Sequence, residues 1–115
     1  MNIQIYVVKK NTDSQKAERF FLERKIPYQL LELNRHKLGK KELALFAAAV
    51  GAKELVERKG QKALERPVAH MTTESLILSE LLNDPTALRS PIVRNGSKVT
   101  VGANEAEWKK WLEQA

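Results

Sequence analysis

Polar side chains are concentrated in the stretch KKNTDSQKA, residues 9–17, which follows a short apolar segment. Covalent catalysis in such a stretch needs an activated nucleophile, a side chain whose proton an adjacent base removes. Ser14 has a hydroxyl group but no neighbouring histidine, and Asn11 has no ionisable group. Residues 9–17 therefore lack the parts of a nucleophilic centre.

The charged residues of this stretch favour only weak anion binding. Asp13 lies in the first turn of a predicted helix, where a carboxylate complements the helix dipole. The same carboxylate takes up the positive potential that an anionic ligand would need. Lys9 and Lys10 partly offset its charge. We expect any oxyanion to bind weakly at this loop.

The chain contains no cysteine. This absence excludes disulfides, thiolate metal sites and every mechanism based on a protein thiol. The two histidines, His36 and His70, are far apart in the sequence, and neither belongs to a metal-binding motif such as HExxH. We therefore predict neither a metal site nor a thiol-dependent activity.

The composition is that of a globular domain. The chain has 115 residues, of which 43% are hydrophobic and 30% charged, and this fits one domain spanning residues 1–115. The formal net charge is +6, but basic and acidic residues alternate, so direct nucleic-acid binding is not expected. No apolar run approaches the roughly 20 residues of a membrane span, and the N-terminus does not resemble a signal peptide. We expect a cytoplasmic monomer without membrane contact.

The first third of the chain predicts a βαβ unit. Alternating apolar residues indicate a strand over residues 2–8. Thr12 and Gln15 have the spacing of a capping box, and apolar residues at helical spacing continue a helix over residues 13–25. A second strand is predicted over residues 28–33. Strands joined by a crossover helix are parallel.

The middle of the chain is predicted to be helical. One apolar stripe ends at Gly51, which suits a helix C-cap. A further short turn is predicted from residue 53 to Gly60. A third helix is expected to begin near Thr72 or Thr73, whose hydroxyl can satisfy backbone N–H groups. It is predicted to bury Ile77, Leu78, Leu81 and Leu82 before it ends at residues 83–85.

The end of the chain predicts a β-hairpin followed by a helix. Asn95 and Gly96 suit the two positive-φ positions of a type I′ turn, with strands over residues 91–94 and 97–101. Asn104 is predicted to cap the last helix, with Glu107 three residues later. Two tryptophans one turn apart could stack on nucleic-acid bases, but core packing is the preferred interpretation. The predicted buried face contains Trp108, Trp111, Leu112 and Ala115.

The order strand, helix, strand, helices, hairpin, helix outlines an α/β thioredoxin-like fold with a helical insert at about residues 38–84. The residues themselves resemble the arsenate reductase family that includes the Spx regulators, the ArsC/Spx family. The segment LNDPTALRSPIVRNGSKVTVGANEAEW is similar to the most specific block of that family, and IPYQLLEL and GAKELVERKGQKAL are similar to others. By this resemblance Asn11 stands at the position of the catalytic cysteine, and Ser14 at that of the second cysteine. The active-site loop, residues 11–14 including Thr12, is therefore degenerate.

The resemblance also implies a ligand groove between residues 9–14 and Pro91. Pro91 corresponds to the cis-proline of the family. Arg58 matches one of the arginines that hold the oxyanion, whereas Ser90 replaces the arginine before the proline. Arg89 is one position earlier, so in a strand it would point to the opposite face. The third arginine has no counterpart between Thr100 and Gly102.

Two functions are compatible with this resemblance. The first is a non-catalytic binding or regulatory protein, because Spx proteins contact RNA polymerase around a glycine that Gly51 matches, with Arg58 downstream; the partner would be an RNA polymerase subunit or a reductase. The second is an oxidoreductase-like protein that binds a small molecule, glutathione or an oxyanion, and works with the thiol of a partner. No other cofactor is implied. Arsenate reduction by the protein alone is not expected, since it requires a protein thiolate.

Overall fold

The computed structural model describes residues 1–114 and contains a four-stranded sheet with strand order β2-β1-β3-β4. Strand β1 pairs in parallel with β2 and antiparallel with β3, and β3 pairs antiparallel with β4. The strands are β1 (Ile3–Val7), β2 (Tyr28–Glu32), β3 (Ile92–Asn95) and β4 (Lys98–Val101).

Within residues 1–114, five α-helices pack around the sheet. One crossover helix joins β1 to β2, a helical segment joins β2 to β3, and a C-terminal helix follows the hairpin. The helices are α1 (Thr12–Glu23), α2 (Lys40–Val50), α3 (Gln61–Glu65), α4 (Glu74–Asn83) and α5 (Glu105–Gln114), with short 3-10 turns at Lys53–Leu55, Pro67–His70 and Pro85–Ala87. The α/β thioredoxin-like fold is confirmed.

Two apolar clusters cover opposite faces of the sheet, because successive strand residues point to alternate sides. Ile5 belongs to the cluster beneath α1 and α5, and Tyr6 to the cluster beneath α2 and α4. Trp108 and Trp111 are both buried in the first cluster, which confirms the preferred interpretation of core packing. Ala115, predicted for the same face, lies outside the described residues.

The cap of α1 differs from the prediction. Asn11 is the N-cap, and the reciprocal partner is Ser14 rather than Gln15. The predicted box of Thr12 and Gln15 was therefore wrong by one residue. An asparagine caps a helix as well as a hydroxyl residue does, so the local pattern allowed both registers. The helix then ends at Glu23, ahead of Lys25, whose φ is +57°.

The segment after α2 also differs. The predicted turn over residues 53–59 is a 3-10 turn only at Lys53–Leu55, and Gly60 precedes α3 instead of ending a helix. Residues 55–57 pair with residues 87–89: Arg89 N donates to Leu55 O at 2.7 Å, and Glu57 N donates to Ala87 O at 3.0 Å. These long-range bonds hold the chain extended where local composition favoured a helical turn.

Helix α4 begins at Glu74, as expected, but its N-cap Thr73 makes no side-chain capping bond. Of the four residues that we predicted to be buried, Ile77 and Leu81 are buried completely, whereas Leu78 and Leu82 pack against the core and stay partly exposed. The prediction that a threonine hydroxyl caps this helix was wrong.

The hairpin forms, but its turn is shifted by one residue. Asn95 pairs with Lys98, so the two loop residues are Gly96 and Ser97. Only Gly96 has a positive φ, +62°, which is the pattern of a type II′ turn rather than the predicted type I′. The predicted cap of α5 is confirmed, because Glu107 N donates to Asn104 Oδ1 at 3.2 Å.

Within residues 1–114, no helix has the combination of length and apolar character that crossing a bilayer requires.

Candidate functional site

The side chain of Asn11 ties the start of α1 to the loop before β3. Its Oδ1 accepts a hydrogen bond from Ser14 N at 2.7 Å, and its Nδ2 donates to Ser90 O at 2.9 Å. Both ends of the amide are therefore used. We call Asn11, Ser14 and Ser90 the Asn11 clasp.

Ser14 completes the clasp from inside the protein. It is fully buried, and its Oγ accepts from Asn11 N at 2.8 Å and donates to Asn11 O at 2.9 Å. The hydroxyl proton is already engaged with a backbone carbonyl, and no base contacts it. Ser14 therefore has a capping role in this geometry and is not an activated nucleophile.

Ser90 links the clasp to the end of β1. Its Oγ accepts from Val8 N at 3.4 Å and donates to Lys9 O at 3.3 Å. The peptide bond between Ser90 and Pro91 is cis, as the resemblance implied, and Pro91 O accepts from Gly102 N at 2.9 Å. The structure thus brings Asn11 and Ser14 next to Ser90 and the following Pro91, whereas a ligand groove between them stays a prediction.

The charged residues of the loop are arranged for solvent contact. Lys9 is exposed, and Lys10 Nζ lies 3.8 Å from Glu18 Oε2. This pair is exposed on the lysine side, so its contribution to stability is small. Asp13 is half-buried in the first turn of α1. Weak anion binding at this loop stays a prediction.

The Arg58 side chain is hydrogen-bonded to the backbone of the segment after α2. Its Nε donates to Ala69 O at 3.3 Å, and its Nη1 donates to Lys53 O. Two carbonyl groups distant in sequence are thus held by one guanidinium. This arrangement fixes the path of residues 53–70 and leaves fewer donors for a ligand.

Arg89 points toward the hairpin rather than toward the clasp. A Cβ atom added to Gly102 would lie 3.1 Å from Arg89 Nη2, so the guanidinium rests against the Gly102 backbone. Arg89 and Arg58 both line a cavity of about 230 Å³ together with Glu54, Glu57 and Lys59. That cavity contains no residue of the loop 9–14. The structure therefore brings the two candidate arginines together but assigns them to a different groove from Asn11.

Gly51 ends α2 with φ +91°, and its N–H donates to Ala47 O at 2.8 Å. The predicted C-cap is confirmed. A Cβ at this position would meet no atom within 4 Å. The backbone conformation requires glycine, whereas the surrounding space would admit a side chain.

Sequence comparison decides the family. The ArsC family matches residues 6–111 of this chain. The chain belongs to the ArsC family. No functionally curated protein matches it at a significant level.

Solved structures related to the ArsC family share its fold at low identity. An ArsC-family-related protein from Bacteroides fragilis superimposes with a TM-score of 0.81 at 21% identity, covering 96% of this chain and 98% of its own. An arsenate reductase (ArsC) related protein from Brucella melitensis gives 0.71 at 21% identity, covering 97% and 95%. An arsenate reductase from Vibrio cholerae gives 0.74 at 15% identity, covering 98% and 97%. At these identities the comparisons establish the fold alone.

One polar cluster of this ArsC-family chain was not predicted from the sequence. Tyr6 donates its hydroxyl to Glu42 Oε2 at 2.7 Å, and Gly39 N donates to Glu42 Oε1 at 3.0 Å. His36 Nε2 lies 3.3 Å from the same Oε1. The spacing of Gly39 and Glu42 is a capping-box signal that could have located the carboxylate. The contact with Tyr6 depends on the fold and leaves no local signal.

The cluster shifts the acidity of two groups. Burial, followed by the hydrogen bond to Glu42, raises the pKa of Tyr6 to about 12. Burial alone raises the pKa of Glu42, but hydrogen bonds from Tyr6, Gly39 and His36 outweigh it and hold that pKa below its ordinary value. Glu42 is therefore ionised and fully hydrogen-bonded near neutral pH.

Glu42 makes the protein sensitive to acid. Because its folded pKa lies below the reference value of 4.5, its contribution to stability is complete above that value and is lost as pH falls through the folded pKa. We expect Glu42→Gln to be less stable than the wild type at neutral pH and to show a smaller further loss below about pH 4.5. Urea unfolding at several pH values checks this. The exposed Glu23→Gln is the control, and an equally steep acid loss in Glu42→Gln would contradict the assignment.

Proposed function

We propose that this ArsC-family protein is a binding or regulatory protein that lacks thiol reductase activity. The observation that supports the proposal most is the Asn11 clasp. By resemblance Asn11 stands at the position of the nucleophile, and its amide is occupied on one side by Ser14 N and on the other by Ser90 O. A side chain bonded in this way links the start of α1 to the loop before β3.

The clasp also occupies the groups that a reductase would use. A helix N-terminus stabilises a thiolate or an oxyanion through its unpaired N–H groups. In this protein Ser14 N already donates to Asn11 Oδ1, and Asn11 N donates to Ser14 Oγ. Arg58 and Arg89 line another groove. The loop therefore has neither of these arginine charges and fewer free N–H donors with which to hold an oxyanion.

The surface around Gly51 is our candidate for the binding site. Gly51 is half-exposed at the end of α2, and Ala49 beside it is exposed. Arg89 and Glu54 lie in the cavity that begins at this end of α2. The proposed partner is a protein, and the family resemblance makes an RNA polymerase subunit the first to test. The open space at Gly51 supports this surface as a contact site, since a partner chain could approach the backbone closely.

Gly51→Arg is the first test of the proposal. RNA polymerase purified from the same organism would be measured for binding to the wild type and to the variant by surface plasmon resonance. We expect the wild type to bind and the arginine variant to lose at least about tenfold in affinity, because a bulky cation would stand in the interface. The control is Gly51→Ala, which has the same backbone strain at φ +91° without the bulk or charge.

Three results would contradict the proposal. One is arsenate reduction by the purified protein with glutathione at a rate above the uncatalysed background. Another is equal loss of binding in Gly51→Ala and Gly51→Arg, since strain rather than contact would then be responsible. The third is the movement of NMR signals from residues 9–14 on titration with glutathione, which would favour a small-molecule site working with a partner thiol.

A further inference from the structure

Strand β4 lies at the edge of the sheet, and its outer side has hydrogen-bonding groups that the sheet does not use. In the hairpin, Asn95 pairs with Lys98 across a two-residue turn, and Gly102 N donates to Pro91 O. Antiparallel ladders alternate between bonded and non-bonded pairs. Thr100 is therefore bonded to β3, whereas the N–H and C=O groups of Val99 and Val101 point outward. Among residues 1–114 these groups have no backbone or side-chain partner.

A groove of about 480 Å³ runs along this edge. One wall is the end of α2 with Ala49 and Val50, and the other is the start of α5 with Asn104 and Glu107. The floor is β4 itself, Lys98–Val101. The groove thus exposes a strand edge between two helices, the geometry that accepts an added strand.

The two walls would meet different side chains of an added strand. Val99 and Val101 belong to the apolar cluster beneath α2, so strand residues beside them face Ala49 and Val50. Thr100 faces α5, because Trp108 Nε1 donates to its Oγ1 at 2.8 Å. An incoming strand therefore needs small apolar residues on the α2 side and polar residues on the α5 side.

Cationic groups lie at both ends of the groove. Lys98 begins β4, and the Arg89 guanidinium rests against Gly102 just beyond its last residue. Glu54, in the turn after α2, and Glu107, in α5, also line the groove. Carboxylates at the two ends of an added strand would face the cations, so these two end positions favour acidic residues.

We propose that β4 is a docking edge for an extended segment of a partner protein, with alternating apolar residues and acidic residues at its ends. This inference rests on the proposed function and specifies how the partner binds. A second copy of the chain fits less well. If Val99 of one copy paired with Val101 of another, each Lys98 would lie opposite Gly102 and beside the Arg89 guanidinium of the other copy.

The test uses a synthetic pentapeptide, acetylated and amidated, in which two valines flank a central threonine between terminal aspartates, so that valines lie opposite Val99 and Val101 and aspartates opposite Lys98 and Gly102. We expect saturable binding to the wild-type protein, with slower hydrogen exchange at the Val99 and Val101 amides and little change at Thr100, which is already bonded. The same peptide with N-methylated valines keeps every side chain but loses backbone donors. It should not bind.

Val101→Pro tests the edge from the protein side. Proline at residue 101 removes one outward N–H and leaves the bonds between β3 and β4 intact. Edge strands tolerate proline where the N–H faces away from the sheet. We expect the peptide to bind this variant about tenfold more weakly than the control Val101→Ala, which loses more of the side chain but keeps the N–H. If the proline variant does not fold, the N-methylated peptide still tests the backbone pairing, because its binding is measured on the wild-type protein.

Four results would overturn the inference. They are no binding of the pentapeptide at millimolar concentration, equal binding of its N-methylated form, equal affinity for Val101→Pro and Val101→Ala, or a wild-type dimer that Val101→Pro dissociates. The proposed function is tested separately. If RNA polymerase binding is lost in Gly51→Arg but retained in Val101→Pro, the docking edge is wrong and the proposed function stands. If the protein reduces arsenate with glutathione, the proposed function fails whatever the peptide does.

Discussion

Replacing Trp108 with alanine is expected to lower the free energy of unfolding by about 3–5 kcal/mol, the range for removal of a large aromatic residue from a core. The side chain has 0% exposure, and its ring centroid lies 5.3 Å from that of Phe20 and 5.5 Å from that of Phe21. Its Nε1 also donates to Thr100 Oγ1. The variant would lose the packing between α5 and α1 and leave the Thr100 hydroxyl without this partner. Urea unfolding followed by circular dichroism measures the loss.

Two variants separate the contributions of Trp108. Trp108→Phe keeps most of the ring volume and removes the N–H, so we expect a smaller loss of about 1–2 kcal/mol. Lys109→Ala alters the next residue of α5, which is exposed, and should change stability by less than about 0.5 kcal/mol. A loss below about 1 kcal/mol in Trp108→Ala would show that α5 is not part of the cooperative core.

The parts of the fold that could be predicted are those whose signal is local. The alternation of apolar residues located β1, and the tryptophan spacing located the buried face of α5. Asn104 was correctly predicted as a cap because asparagine before an amphipathic run has few alternative roles. In each case one short segment contains both the pattern and its physical cause.

The parts that could not be predicted depend on residues far apart in the sequence. Gly60 followed a segment with helical composition, but the backbone of residues 55–57 bonds to residues 87–89 and stays extended. The turn of the hairpin also differs from the prediction by one residue. Arg94 lies opposite Val99, whereas the predicted turn would place it opposite Ser97. Both pairings leave the same strand residues facing each cluster, so the alternation of apolar residues did not decide between them.

Some features of the candidate site could also be predicted from the sequence, whereas others depend on contacts between distant residues. The missing cysteine and the charges around Asn11 were visible in the sequence, and so was the reason that Arg89 would point away from the loop. The hydrogen bond from Asn11 to Ser90 could not be seen in the sequence, because it joins residues that only the fold brings together. The grouping of Arg58 with Arg89, away from the loop, follows from the extended path of residues 55–57 and has no sequence signal.

The proposed docking edge, β4, shares no residue with the clasp. The clasp uses the polar groups between α1 and the loop before β3, whereas β4 has outward N–H and C=O groups with no partner among residues 1–114. Arg89 connects the two regions in sequence, since it lies next to Ser90 and its side chain rests on Gly102. A change at Ser90 could therefore alter both the loop and the cationic end of the groove.

Replacing Asn11 with alanine is expected to lower the free energy of unfolding by about 2 kcal/mol, the sum of a lost helix cap and a lost hydrogen bond. The cap is the 2.7 Å bond from Ser14 N to Asn11 Oδ1, and the second bond is the 2.9 Å contact from Asn11 Nδ2 to Ser90 O. If Asn11 were only a solvent-exposed loop residue, its replacement would change little. Urea unfolding measures the difference directly.

Asn11→Asp divides this loss into its two parts. The carboxylate keeps the acceptor for Ser14 N and suits the helix dipole, but it cannot donate to the Ser90 carbonyl. We expect its loss to be about half that of the alanine variant, near 1 kcal/mol. Thr12→Ala, at the exposed neighbouring position, should stay within about 0.5 kcal/mol of the wild type. Equal stability of Asn11→Asp and the wild type would mean that the bond to Ser90 does not hold α1 to the loop before β3, and the structural basis for a closed cysteine position would be lost.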